Sequence, residues 1–572
     1  MNEAKIVTGP TDKSEDIELR IAVEKNHYID RIVDQFSDWC SPILVKETRQ
    51  ALKSRQFFWT FFLLLAAIAL WTMIGLTFND ARVDFGNAGP NLLSGYWIIL
   101  GFPLSIVIPF GAYRSLAREY EDGTIQLVSV TTMRAWQIVA GKLGSSMLQM
   151  LIYLSIIAPC IAFTYLLRGL SLPQISAGIV ICICGCVCLS CVALFFAGST
   201  RSRIYGVGVS IVLIVIQIGV FIAWIIFSVA LASGELSFLE IDGQFVFSGI
   251  VMAILSTAAL MFAAAASMIS FESDNRSSIV RVMMLVQQTL FIAWCLTLAC
   301  FVLDEEMLLA LTFVSTHYWL AMGFLLVSEN DELSARVRRQ IPKTWFGRIT
   351  CSWFLPGAGR GLVFATGNIW FCAFTFFLMI WAGQWLPQAN SNNFNMTSYR
   401  FTPSANDFVP HIVSLISICL YSSFYLALTY LICQRYRRTG RVVTGLFSFA
   451  AGTVMIFLVT GGSLLFHFNL LPSRNWDMYT ADQIFNWYWT STELFEGGAS
   501  NVDPVLAFLA GMIMLGICVL AWATAARELN QTRAVVPEKV EFEMAEEKKV
   551  ERIPEGETID EIFGELPKNE SE

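Results

Sequence analysis

The chain has 572 residues; 55% are hydrophobic and only 15% are Asp, Glu, Lys or Arg, against about 25% charged in an average soluble protein. Mean hydropathy is +0.58, which excludes disordered, collagen-like and disulfide-scaffold classes and predicts an all-α, polytopic membrane protein. The formal net charge of −8 is carried almost wholly by residues 526–572, with 14 acidic and 7 basic side chains; no basic domain is present, so nucleic acid is not an expected partner.

Residues 1–40 are polar. The first apolar run starts at Phe57 and is too long for the apolar part of a signal peptide, so no cleavable leader is expected. A helix needs about 20 apolar residues to cross the hydrocarbon. Twelve such stretches follow, at 57–78, 92–113, 139–167, 175–198, 204–232, 245–270, 282–302, 308–327, 362–386, 411–433, 442–468 and 505–525. The first contains 22 residues and no charge; Leu, Ile and Phe each favour insertion by about 0.3–0.6 kcal/mol, so it inserts unaided.

Loops on one side, with Lys142 at the edge of the third span, hold 18 Arg and Lys, those on the other only Arg82, Arg168, Arg400 and Arg474. The positive-inside rule then predicts that both termini are cytoplasmic, in agreement with an even number of spans, which requires them on the same side. The Pro-containing acidic tail, 526–572, reads as a disordered cytoplasmic appendage.

Several chemistries are not expected. No GxxxxGK[ST] phosphate loop occurs, so ATP cannot be bound by that device. His27, His317, His411 and His467 are scattered, without zinc-ligand spacing. Cys182, Cys184, Cys186, Cys188 and Cys191 advance by steps that surround a helix, which suits packing residues better than metal ligands. Carboxylates are nearly absent from the spans, which argues against ion-coupled carriage. Gln149, Gln217, Gln287 and Gln288 are read as interhelical hydrogen-bonding groups.

Two segments carry more information. Between spans two and three stand Arg118-Glu119-Tyr120-Glu121-Asp122-Gly123-Thr124-Ile125-Gln126-Leu127, and, after a polar turn, Ile138-Val139-Ala140-Gly141-Lys142. Asp122-Gly123 signals a turn, and Thr124 can cap a short amphipathic helix containing Ile125, Leu127 and Val128 that lies along the membrane surface. Joined to two spans, such a helix is a lever. Ahead of span one, Ser41-Pro42 is a helix start; Lys46, Arg49, Lys53 and Arg55 can reach headgroups while Ile43, Leu44, Ala51 and Leu52 bury.

The first segment resembles the cytoplasmic loop of ABC-2 type transporter permeases, matching its pattern at Glu119, Glu121, Gly123, Thr124, Leu127, Thr131, Ile138, Val139, Gly141 and Lys142. It departs at Gln126 and Gln137, where the family usually has Glu, and at Thr132, often Pro. The Pro42 segment, with Lys46, Arg49 and Lys53, resembles the interfacial elbow helix of the same family. The resemblance covers residues 41–270, one six-span unit. It implies the permease subunit of a type V ABC exporter in the cell (inner) membrane, surrounded by lipid. Two six-span units face each other, and a dimer of separate ATPase subunits binds ATP-Mg and drives the lever. On that reading the chain is not an enzyme and holds no cofactor itself. Glu119, Glu121, Gly123, Thr124, Leu127, Gly141 and Lys142 form the ATPase-coupling site.

Residues 271–525 supply six more spans. Residues 328–361 occupy the place of a second lever but lack Gly-Thr and Gly-Lys. A diverged repeat would complete the pathway within one chain; otherwise a second permease copy pairs with the first unit. The rival reading is a non-transporting membrane scaffold that anchors a partner complex. Neither substrate nor transport direction is legible in the residues.

Overall fold

The computed structural model describes residues 42–78, 88–124, 133–167, 170–199, 203–234, 241–271, 274–301, 305–330, 333–339, 341–383, 408–470, 479–496 and 502–529. The polar segment 1–40, most of the acidic tail and residues 125–132 of the expected lever, including Leu127, lie outside them.

Every regular element among the described residues is helical. Hydrocarbon offers no hydrogen-bond partners, so a crossing chain satisfies its own backbone by forming helices. A surface helix α1 (Pro42–Leu52) precedes α2 (Arg55–Phe78). The second span is α3 (Ala88–Phe102), a π-helical turn at Pro103–Val107 and α4 (Ile108–Glu121). Pro103 lacks the N–H that a regular ladder would use there, so the wider turn falls at a predictable place. The first unit continues with α5 (Ala135–Leu166), α6 (Leu172–Ser199), α7 (Arg203–Ser233) and α8 (Ile241–Ile269).

The second unit contains α9 (Ser277–Phe301), α10 (Glu305–Leu326), short helices α11 (Ala335–Arg339) and α12 (Trp345–Phe354), then α13 (Ala358–Gly383), α14 (Phe408–Arg438) and α15 (Gly445–Leu470). A 3-10 turn (Ala481–Phe485) and α16 (Trp487–Phe495) lead to α17 (Pro504–Leu529). Twelve helices are long and apolar enough to cross a membrane, and each overlaps one of the stretches read from the sequence. The protein is therefore a multi-pass α-helical membrane protein.

The two units share a packing scheme. In each, the second span touches the third, fourth and fifth; the third and fourth both touch the sixth; and the fourth touches the third and fifth. The units meet where α8 packs against α9, and Gln287 Nε2 donates to Thr257 Oγ1 across that seam at 3.0 Å. Gln288 donates to Cys372 Sγ on α13. Gln149 instead turns back on its own helix, and both polar atoms of buried Gln217 lack a partner in the structure.

One element differs from the sequence reading. Residues 481–495 were expected to belong to an outer loop, yet they insert into the second unit. Trp487 is fully buried against Phe313 and Tyr425, and Tyr421, well inside α14, donates to the Ile484 carbonyl. His317 packs on this insert and hydrogen-bonds Tyr488. The insert is too short and too polar to register as a span. Its burial is legible only through the aromatic density of Trp487-Tyr488-Trp489.

Candidate functional site: a buried ionic latch

The elbow-like helix and the start of α5 pack closely because α5 has glycines where they touch. A Cβ at Gly141 would stand 2.9 Å from Ile43 Cγ2 and 3.3 Å from the Leu44 backbone nitrogen; at Gly144 it would meet Leu44 Cδ1 at 2.8 Å. The motif glycine thus admits α1 to the surface of α5. Gly141→Val is expected to push α1 off α5 and to expose it to limited proteolysis. Unchanged protection of 42–52 would count against this packing role.

That packing carries Glu47 inward. It is the buried residue of α1, whereas the sequence reading gave it no role. Its Oε1 accepts from Lys142 Nζ at 3.0 Å and its Oε2 accepts from Ser115 Oγ at 2.7 Å. Lys142 also donates to Ser115 Oγ at 2.7 Å and lies 3.2 Å from Glu119 Oε1. The three N–H donors of the ammonium are therefore all used. Lys46 approaches Glu119 at 3.7 Å, so two lysines meet two carboxylates and the cluster is neutral. The Lys142 side chain is 1% exposed; a charge so far from water persists only when paired and hydrogen-bonded.

The latch joins α1 through Glu47, α4 through Ser115 and Glu119, and α5 through Lys142. Of the expected coupling residues, it gathers Glu119, Gly141 and Lys142. Glu121 and Thr124 stay exposed at the end of α4. Gly123 takes φ +67° there, a left-handed conformation natural to glycine and well suited to turning the chain away from the helix. Thr124 Oγ1 donates back to the Glu119 carbonyl, closing α4. Leu127 falls outside the described residues. Pro42 and Arg49 lie exposed on α1 and Lys53 in the turn after it, while Lys46, also exposed, reaches the latch.

A second ionic cluster occupies the corresponding end of the second unit. Arg281 on α9 is fully buried. Its Nη2 lies 2.6 Å from Glu329 Oε2, and its Nη1 donates to the Trp353 carbonyl at 3.0 Å. Glu329 also accepts from Ser277 Oγ at 2.5 Å and the Gly357 amide at 2.8 Å. Both latches thus hold a carboxylate at the end of the second span against a buried cation. The cation comes from the third span in one unit and the first span in the other. On α12, burial pushes the Cys351 thiol up while Arg360 pulls it weakly down, so no activated thiolate stands there.

Between the units, beside the start of α5, lies a cavity of about 860 Å³. Leu255, Ala259 and Phe262 of α8 and Met283 of α9 are in its apolar wall, and Arg134 and Arg276 are at its rim. Among the described residues no group of three or more His, Cys, Asp or Glu is placed to hold a metal ion. No family model, curated protein or solved structure matches this chain.

Proposed function

We propose that this chain is the membrane-spanning permease subunit of an ATP-driven ABC exporter in the cell membrane, powered by a separate pair of ATPase subunits that hold ATP-Mg. The observation that carries the reading is Lys142 bridging Glu47 and Glu119. Residues that match the permease motif on either side of the lever segment meet in one buried cluster, and they meet on the elbow-like helix.

The mechanics follow from that cluster. Residues 125–132 join α4 to α5, and the latch ties both helices to α1. Force applied to this segment is passed to three elements together, because a buried, fully hydrogen-bonded ion cluster resists separation of its members. On this reading the latch face is cytoplasmic, both termini lie on that side, and Glu121, exposed beside the segment, meets the ATPase. The common packing scheme of the two units supports a diverged repeat. Their seam at α8–α9 leaves α2 and α7 with broad apolar faces, including Trp59, Leu63, Val215 and Ile226, available to lipid or to a second permease copy.

The test is purification of the full chain from native membranes in mild detergent, with ATP hydrolysis measured in the complex. The reading predicts a bound ATPase whose turnover falls several-fold with Glu121→Lys while the amount of inserted chain stays constant. An intact complex with unchanged turnover would remove the lever role. A chain that carries partners but no ATPase would favour the scaffold reading.

A further inference from the structure

The latch-bearing face is charged unevenly. Beside the first latch, exposed Glu121 and Asp122 are mixed with exposed Lys46, Arg114 and Arg118. At the second unit, residues 328–361 and 434–444 together hold ten basic residues against three acidic ones, Glu329, Asp331 and Glu332. Glu329 is engaged by Arg281, and Asp274 nearby pairs with Arg336. Arg339, Lys343, Arg348, Arg435, Arg438 and Arg441 are exposed. The two segments form one surface, because Arg437 donates to the Val327 and Glu329 carbonyls at 2.7 Å each. Trp345 and Phe346 are 77% and 71% exposed within it.

Helix α17 delivers the rest of the chain to this surface. It packs along α13 and α14, with Ala521 and Ala525 fully buried. It runs antiparallel to α13, so its end emerges beside the start of α13 and the end of α14. From there 43 residues follow Leu529, and residues 538–565 carry eleven acidic and four basic side chains. The same stretch intersperses Phe542, Ile559, Ile562 and Phe563 among the acids. Ten extended residues reach about 33 Å, so the tether limits nothing and holds the segment at a high local concentration.

We infer that the acidic segment 538–565 docks on the basic face of its own chain, with its carboxylates against Arg339, Lys343, Arg348, Arg435, Arg438 and Arg441 and its apolar residues against Trp345 and Phe346. Charge complementarity, the matching apolar residues and the exit point of α17 select this occupant. Any other partner of that face competes with the tail. The inference does not depend on the exporter reading.

The test places a photo-crosslinking amino acid at Thr350 or Val442, both exposed, in the full chain reconstituted in phosphatidylcholine vesicles, and identifies cross-linked peptides by mass spectrometry. The expected products join these positions to 538–565 within one chain. Their yield should fall at least about fivefold between about 0.05 M and about 0.5 M salt, because exposed charges are screened. It should fall similarly when the eight glutamates from 538 to 557 become Gln; those substitutions lie outside the packed helices. Cross-links that ignore both changes, that join two chains, or that never reach 538–565 in these vesicles would overturn the inference.

Discussion

Lys142→Met is expected to destabilise the first unit by about 3–5 kcal/mol, the usual cost of removing one partner from a buried ion cluster. Met keeps the length of the side chain but leaves buried Glu47 without its cation and Glu119 with only the exposed Lys46 at 3.7 Å. The carboxylates cannot simply turn to water, because the Glu47 side chain is 8% exposed and that of Glu119 is 18% exposed. Unfolding of the purified protein in detergent, followed by tryptophan fluorescence, measures the loss. Adding Glu47→Gln and Glu119→Gln to Lys142→Met should recover most of it, since neutral groups of the same shape remove the repulsion and the desolvated charge. A Lys142→Met protein as stable as the parent would show that the latch holds nothing together.

Arg281→Met should cost a similar amount in the second unit. The guanidinium is buried beneath Glu329, the Trp353 carbonyl and the Phe364 ring, whose centre lies 5.4 Å from Cζ. Arg281→Lys should fall between, because a lysine can keep the Glu329 pair but cannot reproduce the planar fork that reaches Trp353 at the same time. The two latches share no partner, so the Lys142 and Arg281 losses should add within about 0.5 kcal/mol. A strongly non-additive result would mean that the units are coupled through the α8–α9 seam rather than stabilised separately.

The twelve spans were legible because burial in hydrocarbon is a property of one segment at a time. The apolar run from Phe57 to Phe78 needs no knowledge of its neighbours. The end of the helix before residues 125–132 was legible too, since the turn chemistry of Asp122-Gly123 is also local. The latch was not legible. Glu47 and Lys142 are 95 residues apart, and periodicity shows which face of α1 is apolar without showing what covers it. The expectation that Ile43 and Leu44 bury did not show that Gly141 and Gly144 leave room for them on α5. The second latch was hidden differently. It keeps the carboxylate after the second span but draws its cation from another helix, so no spacing shared with the first unit marks it. The inserted α16 escaped because hydropathy windows long enough to find a span average out nine residues.

A lever driven by a separate ATPase requires the end of α4 to face the cytoplasm. Glu121→Cys, compared with the unaltered chain as background and treated with a membrane-impermeant maleimide, tests this directly in vesicles of each orientation. Labelling is predicted only in inverted vesicles, and a bound ATPase should protect the site. Labelling from the outer side, or none in either orientation after the bilayer is intact, would contradict a lever worked from the cytoplasm.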